Sequence, residues 1–250
     1  MKSQVIVFCI ATGLLTACVS DSPSTNVTSA EKAQTYLTMG IRYMDMGELK
    51  IAKENLEKAL DWDSNNPDIH NAAAALYERI REPENAKSHY QTSLRLDPEN
   101  PQTQNNYGRF LCESGAVAEG LDHLNTALNM PLNSRRWFAL TNAGRCLLKQ
   151  GQQQQAESYF REALLQQGDY PPALLEMLKI SYDDGKYLPA KAFLQRYQTV
   201  AAPTPEFLWY AMQIESALDH KAIAQQYRSA LLTQFPNSDE AKRVATAISD

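Results

Sequence analysis

Small and apolar residues recur along this chain at a fixed period. Small side chains fall at Gly40, Ala74, Gly108 and Gly144, at intervals of 34, 34 and 36 residues. A second small series runs Ala52, Ala86, Gly120, Ala156, Ala190 and Ala224, at intervals of 34, 34, 36, 34 and 34. Large apolar or aromatic residues follow three positions after the first series (Tyr43, Tyr77, Leu111, Leu147) and four after the second (Leu56, Tyr90, Leu124, Phe160, Leu194). A third small series, Ala59, Ser93, Ala127 and Ala163, comes seven positions after the second. Spacings of three and four predict amphipathic helices. Breaks at Asp97-Pro98, Met130-Pro131 and Phe235-Pro236-Asn237 separate them. Each period therefore predicts two antiparallel helices, with the small residues where the axes approach most closely.

The pattern resembles the tetratricopeptide repeat, and it divides into repeats at 33–66, 67–100, 101–134, 137–170, 171–204 and 205–238. The two-residue insertion near Arg135 and Arg136 is shared by both small series. The resemblance implies an all-α, right-handed superhelical solenoid of about six repeats. A single hairpin cannot bury its apolar stripe alone, so neighbours stack into a continuous core. Gly47, Gly115, Gly151 and Gly185 fall between the two helices of their repeats, where glycine ends a helix at little steric cost. The fifth repeat departs from the pattern at Leu178 and Tyr197, and the sixth at Met212 and Glu215. Beyond them, Ala241, Val244, Ala245 and Ile248 predict a C-terminal capping helix with one apolar side.

The N-terminus reads as a targeting segment. Lys2 precedes an apolar run from Val5 to Leu15 that is too short to span a bilayer comfortably. The run ends in Leu15-Thr16-Ala17-Cys18, which resembles the lipobox of bacterial lipoproteins. That resemblance implies a signal peptide over 1–17 and lipidation at Cys18, whose thiol forms the thioether to the lipid. Several acyl chains give stable anchoring, because each buried methylene adds about 0.8 kcal/mol. Val19 in place of Asp implies sorting to the outer membrane, on its periplasmic face. Residues 18–32, rich in Ser and Thr, cannot bury apolar area and read as a lipidated flexible tether to the array at 33–250.

Composition changes this picture little. A net charge of -5 gives no support to nucleic-acid binding. Of four cysteines, Cys112 and Cys146 remain after removal of Cys9 and lipidation of Cys18. They sit on the first helices of adjacent repeats, which leaves open a disulfide or two unpaired, partly buried thiols. His70, His89, His123 and His220 show no metal-ligand spacing. No phosphate loop, dinucleotide fingerprint or nucleophile elbow occurs, so no enzyme activity, cofactor or small-molecule substrate is expected.

Chemistry is then expected on the concave surface that the first helices of such repeats line. Its expected exposed residues are Leu37, Ile41 and Met44 in the first repeat, and Asn71, Asn105, Asn106, Arg109, Asn142 and Arg145 in the next three. In the last two they include Leu175, Lys179, Tyr182, Trp209 and Tyr210. Asn can bond both groups of an extended backbone, Arg can take carboxylates, and aromatics are enriched at interfaces.

Several strings resemble a more specific family, the type IV pilus biogenesis and stability lipoproteins (PilF/PilW). They are Asn105-Asn106-Tyr107-Gly108-Arg109-Phe110-Leu111-Cys112, Asn142-Ala143-Gly144-Arg145-Cys146, Tyr170-Pro171-Pro172-Ala173-Leu174-Leu175, and Pro203-Thr204-Pro205-Glu206-Phe207-Leu208-Trp209. A basic run that family members carry after the Trp is replaced here by Tyr210-Ala211-Met212-Gln213-Ile214. The resemblance implies a pilotin, which binds secretin subunits and promotes their outer-membrane localisation and multimerisation. The alternative is a general periplasmic adaptor for cell-wall enzymes, and genomic neighbours would discriminate the two.

Overall fold

A computed structural model describes residues 28–246, all of whose regular elements are helices. Cys18, the signal peptide and most of the expected tether lie outside the described residues, as does Ile248. The helices pair as α1 (Ser29–Asp45) with α2 (Leu49–Trp62), α3 (Pro67–Arg79) with α4 (Pro83–Leu96), and α5 (Pro101–Glu113) with α6 (Val117–Asn129). Then follow α7 (Arg136–Lys149) with α8 (Gln153–Gln166), α9 (Pro171–Asp183) with α10 (Tyr187–Val200), and α11 (Pro205–Ala217) with α12 (Lys221–Gln234). A short α13 (Asp239–Thr246) ends the described chain. These are the six expected hairpins and the capping helix, stacked as a tetratricopeptide superhelix.

Local chemistry sets the boundaries. The Asn66 and Asn100 side chains accept hydrogen bonds from the first backbone N–H groups of α3 and α5, and Pro67 and Pro101 take the first helical position. Thr28 and Glu31 cap α1 reciprocally. Helix therefore begins at Ser29, and residues 29–32 belong to α1 instead of to a flexible tether. Between the paired helices the chain takes a positive φ at Gly47, Gly115, Gly151 and Gly185, as expected. The equivalent positions of the second and sixth repeats are Arg81 (φ 61°) and Asp219 (φ 59°), which keep the turn without glycine.

In the third repeat the paired helices meet through two glycines. A methyl group at Gly108 would lie 2.7 Å from the carbonyl oxygen of Gly120, and one at Gly120 would lie 2.6 Å from that of Gly108. The departures in the later repeats also have physical reasons. Leu178 is fully buried, in one apolar cluster with Leu174, Leu194, Phe207 and Ile214. Tyr197 stacks on Phe207 with ring centroids 4.6 Å apart. Glu215 is buried but held by Lys191 at 3.0 Å and His220 at 2.5 Å. On α13, Ala241 and Val244 join the core as expected, whereas Ala245 is exposed. Cys112 and Cys146 form a disulfide between α5 and α7, with Cα atoms 5.5 Å apart.

Candidate protein-binding groove

The first helices of successive hairpins, α1, α3, α5, α7, α9 and α11, carry every residue expected on the concave face. The structure sorts those residues into four environments.

The first environment corrects the expected apolar strip. Leu37 and Met44 are 4% and 5% exposed and belong to one cluster with Ile69, Ala72 and Leu76. The first helix of the next repeat lies over them, so these two positions are core. Ile41, at 41% exposure, is the one of the three left on the surface.

The second environment is an amide ladder. Asn106 donates to the Asn71 side-chain oxygen (3.1 Å), Asn105 donates to Asn106 (3.3 Å), and Asn142 donates to Asn105 (2.9 Å). Asn71, Asn105 and Asn142 are buried. Their amides therefore face one another across three repeats instead of waiting for a ligand. An unpaired buried amide would cost about 1–3 kcal/mol, so this pairing removes a penalty and fixes the register of α3, α5 and α7.

The third environment is ionic. Arg109, Arg145 and Lys179 recur at the ninth position of consecutive repeats. Arg109 binds both oxygens of Glu78 (2.8 and 2.9 Å) and also Glu113 (2.8 Å). Burial alone would pull its pKa down, but Glu78 and Glu113 outweigh that and hold the guanidinium charged. Tyr90 donates a short hydrogen bond to the same Glu78, and burial followed by the Glu78 charge pushes its phenol pKa up. Arg145 Nε bonds Glu176 at 2.8 Å. Lys179 sits between Glu176 (3.2 Å) and Glu206 (2.8 Å). Burial lowers its pKa, but the two carboxylates more than offset this, and the net shift is upward. The partner carboxylates were not expected from sequence, although three cations at one repeat position on a helix face signal that acids must stand opposite. Lys149, one turn beyond Arg145, was also missed.

The fourth environment is aromatic. Trp209 and Tyr210 meet edge to face at 4.8 Å, and Tyr182 contacts both at 6.4 and 5.5 Å. All three are partly exposed, with Leu175 buried beneath.

Two clefts interrupt the groove between α5 and α7. One of about 330 Å³ is lined by Asn105, Asn106, Leu132, Arg135 and Phe138. The other, of about 250 Å³, is lined by Arg109, Glu113, Asn142, Arg145, Lys149, Glu176, Lys179 and the disulfide. Along this face the arrangement offers paired amides, ion-paired cations and partly exposed aromatic rings. Among the described residues, no set of three or more His, Cys, Asp or Glu side chains could hold a metal ion. No described helix is long and apolar enough to cross a membrane.

Comparison with known proteins places this architecture. The tetratricopeptide repeat model matches residues 33–66, 67–100 and 139–170. The chain is 28% identical over 239 residues to the type IV pilus assembly protein PilF of Pseudomonas aeruginosa, covering 94% of each. A Haemophilus influenzae protein of undescribed role is 34% identical over 119 residues, covering 47% of this chain and 65% of its own. The solved structure of P. aeruginosa PilF superimposes with a TM-score of 0.75 at 26% identity, covering 88% of this chain and 99% of that one. The crystal structure of PilW, titled a widely conserved type IV pilus biogenesis factor, gives 0.74 at 27% identity, with 85% and 98% covered. This chain is a tetratricopeptide-repeat protein homologous to PilF over nearly its whole length, with the fold of PilF and PilW.

Proposed function

We propose that this protein is an outer-membrane lipoprotein pilotin that binds secretin subunits and promotes their localisation and multimerisation for type IV pilus assembly. What carries this reading is the end-to-end likeness to PilF, an alignment that covers 94% of both chains. The groove supports it from the side of physics. Its ionic and aromatic residues stand on rigid helices at regular intervals, and such a surface suits an extended protein segment better than a small molecule. In this mechanism, lipid on Cys18 and the lipoprotein sorting route carry the bound client to the outer membrane. The array shields aggregation-prone client surface until the subunits assemble. The test is Cys18→Ala. It is expected to leave the array folded while mislocalising it and depleting secretin multimers on non-denaturing gels of outer membranes. Normal multimers in that strain would refute the mechanism.

A further inference from the structure

The groove changes character between the third and fourth repeats, where the two-residue insertion lengthens the link from α6 to α7. Near their C-terminal ends α5 and α7 are tied by the Cys112–Cys146 bond, and midway by the Asn142–Asn105 hydrogen bond. Towards their N-terminal ends the larger cleft opens. Leu132 from the inserted link is 91% exposed there, and Phe138 is 41% exposed. At the other end, Arg145 uses its Nε for Glu176, and among the described residues its two terminal nitrogens make no hydrogen bond. Lys149 forms no ion pair among the described residues, its Nζ standing 3.5 Å from the Glu113 carbonyl oxygen. Arg145 and Lys149 are four residues apart and share one face of α7. Arg109 and Lys179, by contrast, are each held between two carboxylates.

We infer that this junction recognises a short extended segment of a protein partner, one apolar side chain entering the cleft at Leu132 and Phe138 and an acidic side chain meeting Arg145 and Lys149. The inference rests on reading the concave face as the partner-binding surface. Its spacing follows from α7 itself. Phe138 precedes Arg145 by seven residues and Lys149 by eleven. At about 1.5 Å of rise per residue these are roughly 10 and 17 Å along the axis. An extended chain covers about 3.3 Å per residue, so the apolar and acidic positions of the occupant lie about three to five residues apart. The acidic character follows from charge complementarity: the smaller cleft carries four cations (Arg109, Arg145, Lys149 and Lys179) against two carboxylates (Glu113 and Glu176), and neither Lys149 nor the terminal nitrogens of Arg145 meet a carboxylate among the described residues.

The experiment uses two acetylated, amidated peptides in a Gly-Ser background. One carries a Phe and a Glu pair about four residues apart, and the other carries Lys in place of Glu. Each is titrated into the isotope-labelled protein and followed by amide chemical shifts. The Glu peptide is expected to shift residues 132–149, and Lys149→Glu is expected to weaken it about fivefold. Lys149 is exposed, so this variant keeps its fold; Arg145→Gln serves as a second variant. No binding of the Glu peptide, equal binding of the Lys peptide, or shifts confined to Tyr182 and Trp209 would overturn the inference. Photo-crosslinking in cells from positions 138 and 182 separates it from the reading on which it rests. Crosslinks to a protein from position 138 that are lost in Lys149→Glu support it. Crosslinks from position 182 alone refute it while leaving a partner-binding groove, and crosslinks from neither position refute both.

Discussion

Gly120→Ala adds one methyl group where α5 and α6 meet through two glycines. The new carbon would sit 2.6 Å from the Gly108 carbonyl oxygen and 2.9 Å from the Cys112 backbone nitrogen. It would also press on the Cys112 sulfur, which the disulfide holds in place. None of these is the end of a flexible side chain, so α5 and α6 must move apart. Gly40→Ala offers the internal comparison. There the added carbon meets Leu56 Cγ and Cδ2 at 2.6 and 2.7 Å but the nearest backbone atom of α2, the Ala52 carbonyl oxygen, only at 3.4 Å, so a side chain and not the backbone must give way. Overpacking costs about 1–3 kcal/mol, and replacing a helical Gly by Ala returns about 1 kcal/mol. With a backbone obstacle the cost lies towards the upper end, so Gly120→Ala should lose about 1–2 kcal/mol and Gly40→Ala about 0–1 kcal/mol. Urea unfolding followed by circular dichroism measures both, and hydrogen exchange of α5 and α6 amides localises the loss in an array whose repeats can open separately. The reasoning is refuted if Gly120→Ala unfolds at or above the wild-type midpoint, or if Gly40→Ala is the more destabilised of the two.

Other consequences follow from single features of the fold. The Cys112–Cys146 bond spans 34 residues, and closing a loop of that size stabilises by about 3–4 kcal/mol in the chain-entropy model. The Cys112→Ser/Cys146→Ser protein should lose a comparable amount, and dithiothreitol should lower the melting temperature of the wild type but not of the variant. Arg81→Gly or Asp219→Gly should raise stability by up to about 1 kcal/mol, because each relieves a left-handed conformation; a lower urea midpoint would contradict this. Burial holds the pKa of His89 below its ordinary 6.5, with His70 adding to the shift, and burial also lowers that of His123 against the pull of Glu119 and Asp122. A base with a depressed folded-state pKa gives its stability above the unfolded value, and loses it as pH falls below about 6.5 towards the folded value. Melting at roughly pH 7.5 and 5.5 should therefore show a larger acid loss for wild type than for His89→Gln/His123→Gln, and equal losses would refute it.

The array was legible because each hairpin needs the same close contact, so small residues had to recur with the helices that carry them. The turn glycines were only partly legible. Arg81 and Asp219 hold the same backbone angle without being glycine, so residue type signalled four of the six turns. Legibility was poorest in the groove. Position along a helix says which way a side chain points, but not what the next repeat lays over it. Leu37 and Met44 point towards α3 and are covered by it, whereas Ile41 escapes. Asn71, Asn105 and Asn142, expected exposed, are buried, each against an amide on a neighbouring helix, so a surface read as free donors and acceptors is mostly satisfied. The same holds for Arg109 and Lys179 with their paired carboxylates. Unused chemistry remains at Leu132 in the inserted link, at Phe138 just after it, at Lys149 with the terminal nitrogens of Arg145, and at the partly exposed Tyr182, Trp209 and Tyr210. Strict repetition lets each repeat satisfy the next, and the proposed recognition of a protein segment therefore rests on the junction between the third and fourth repeats.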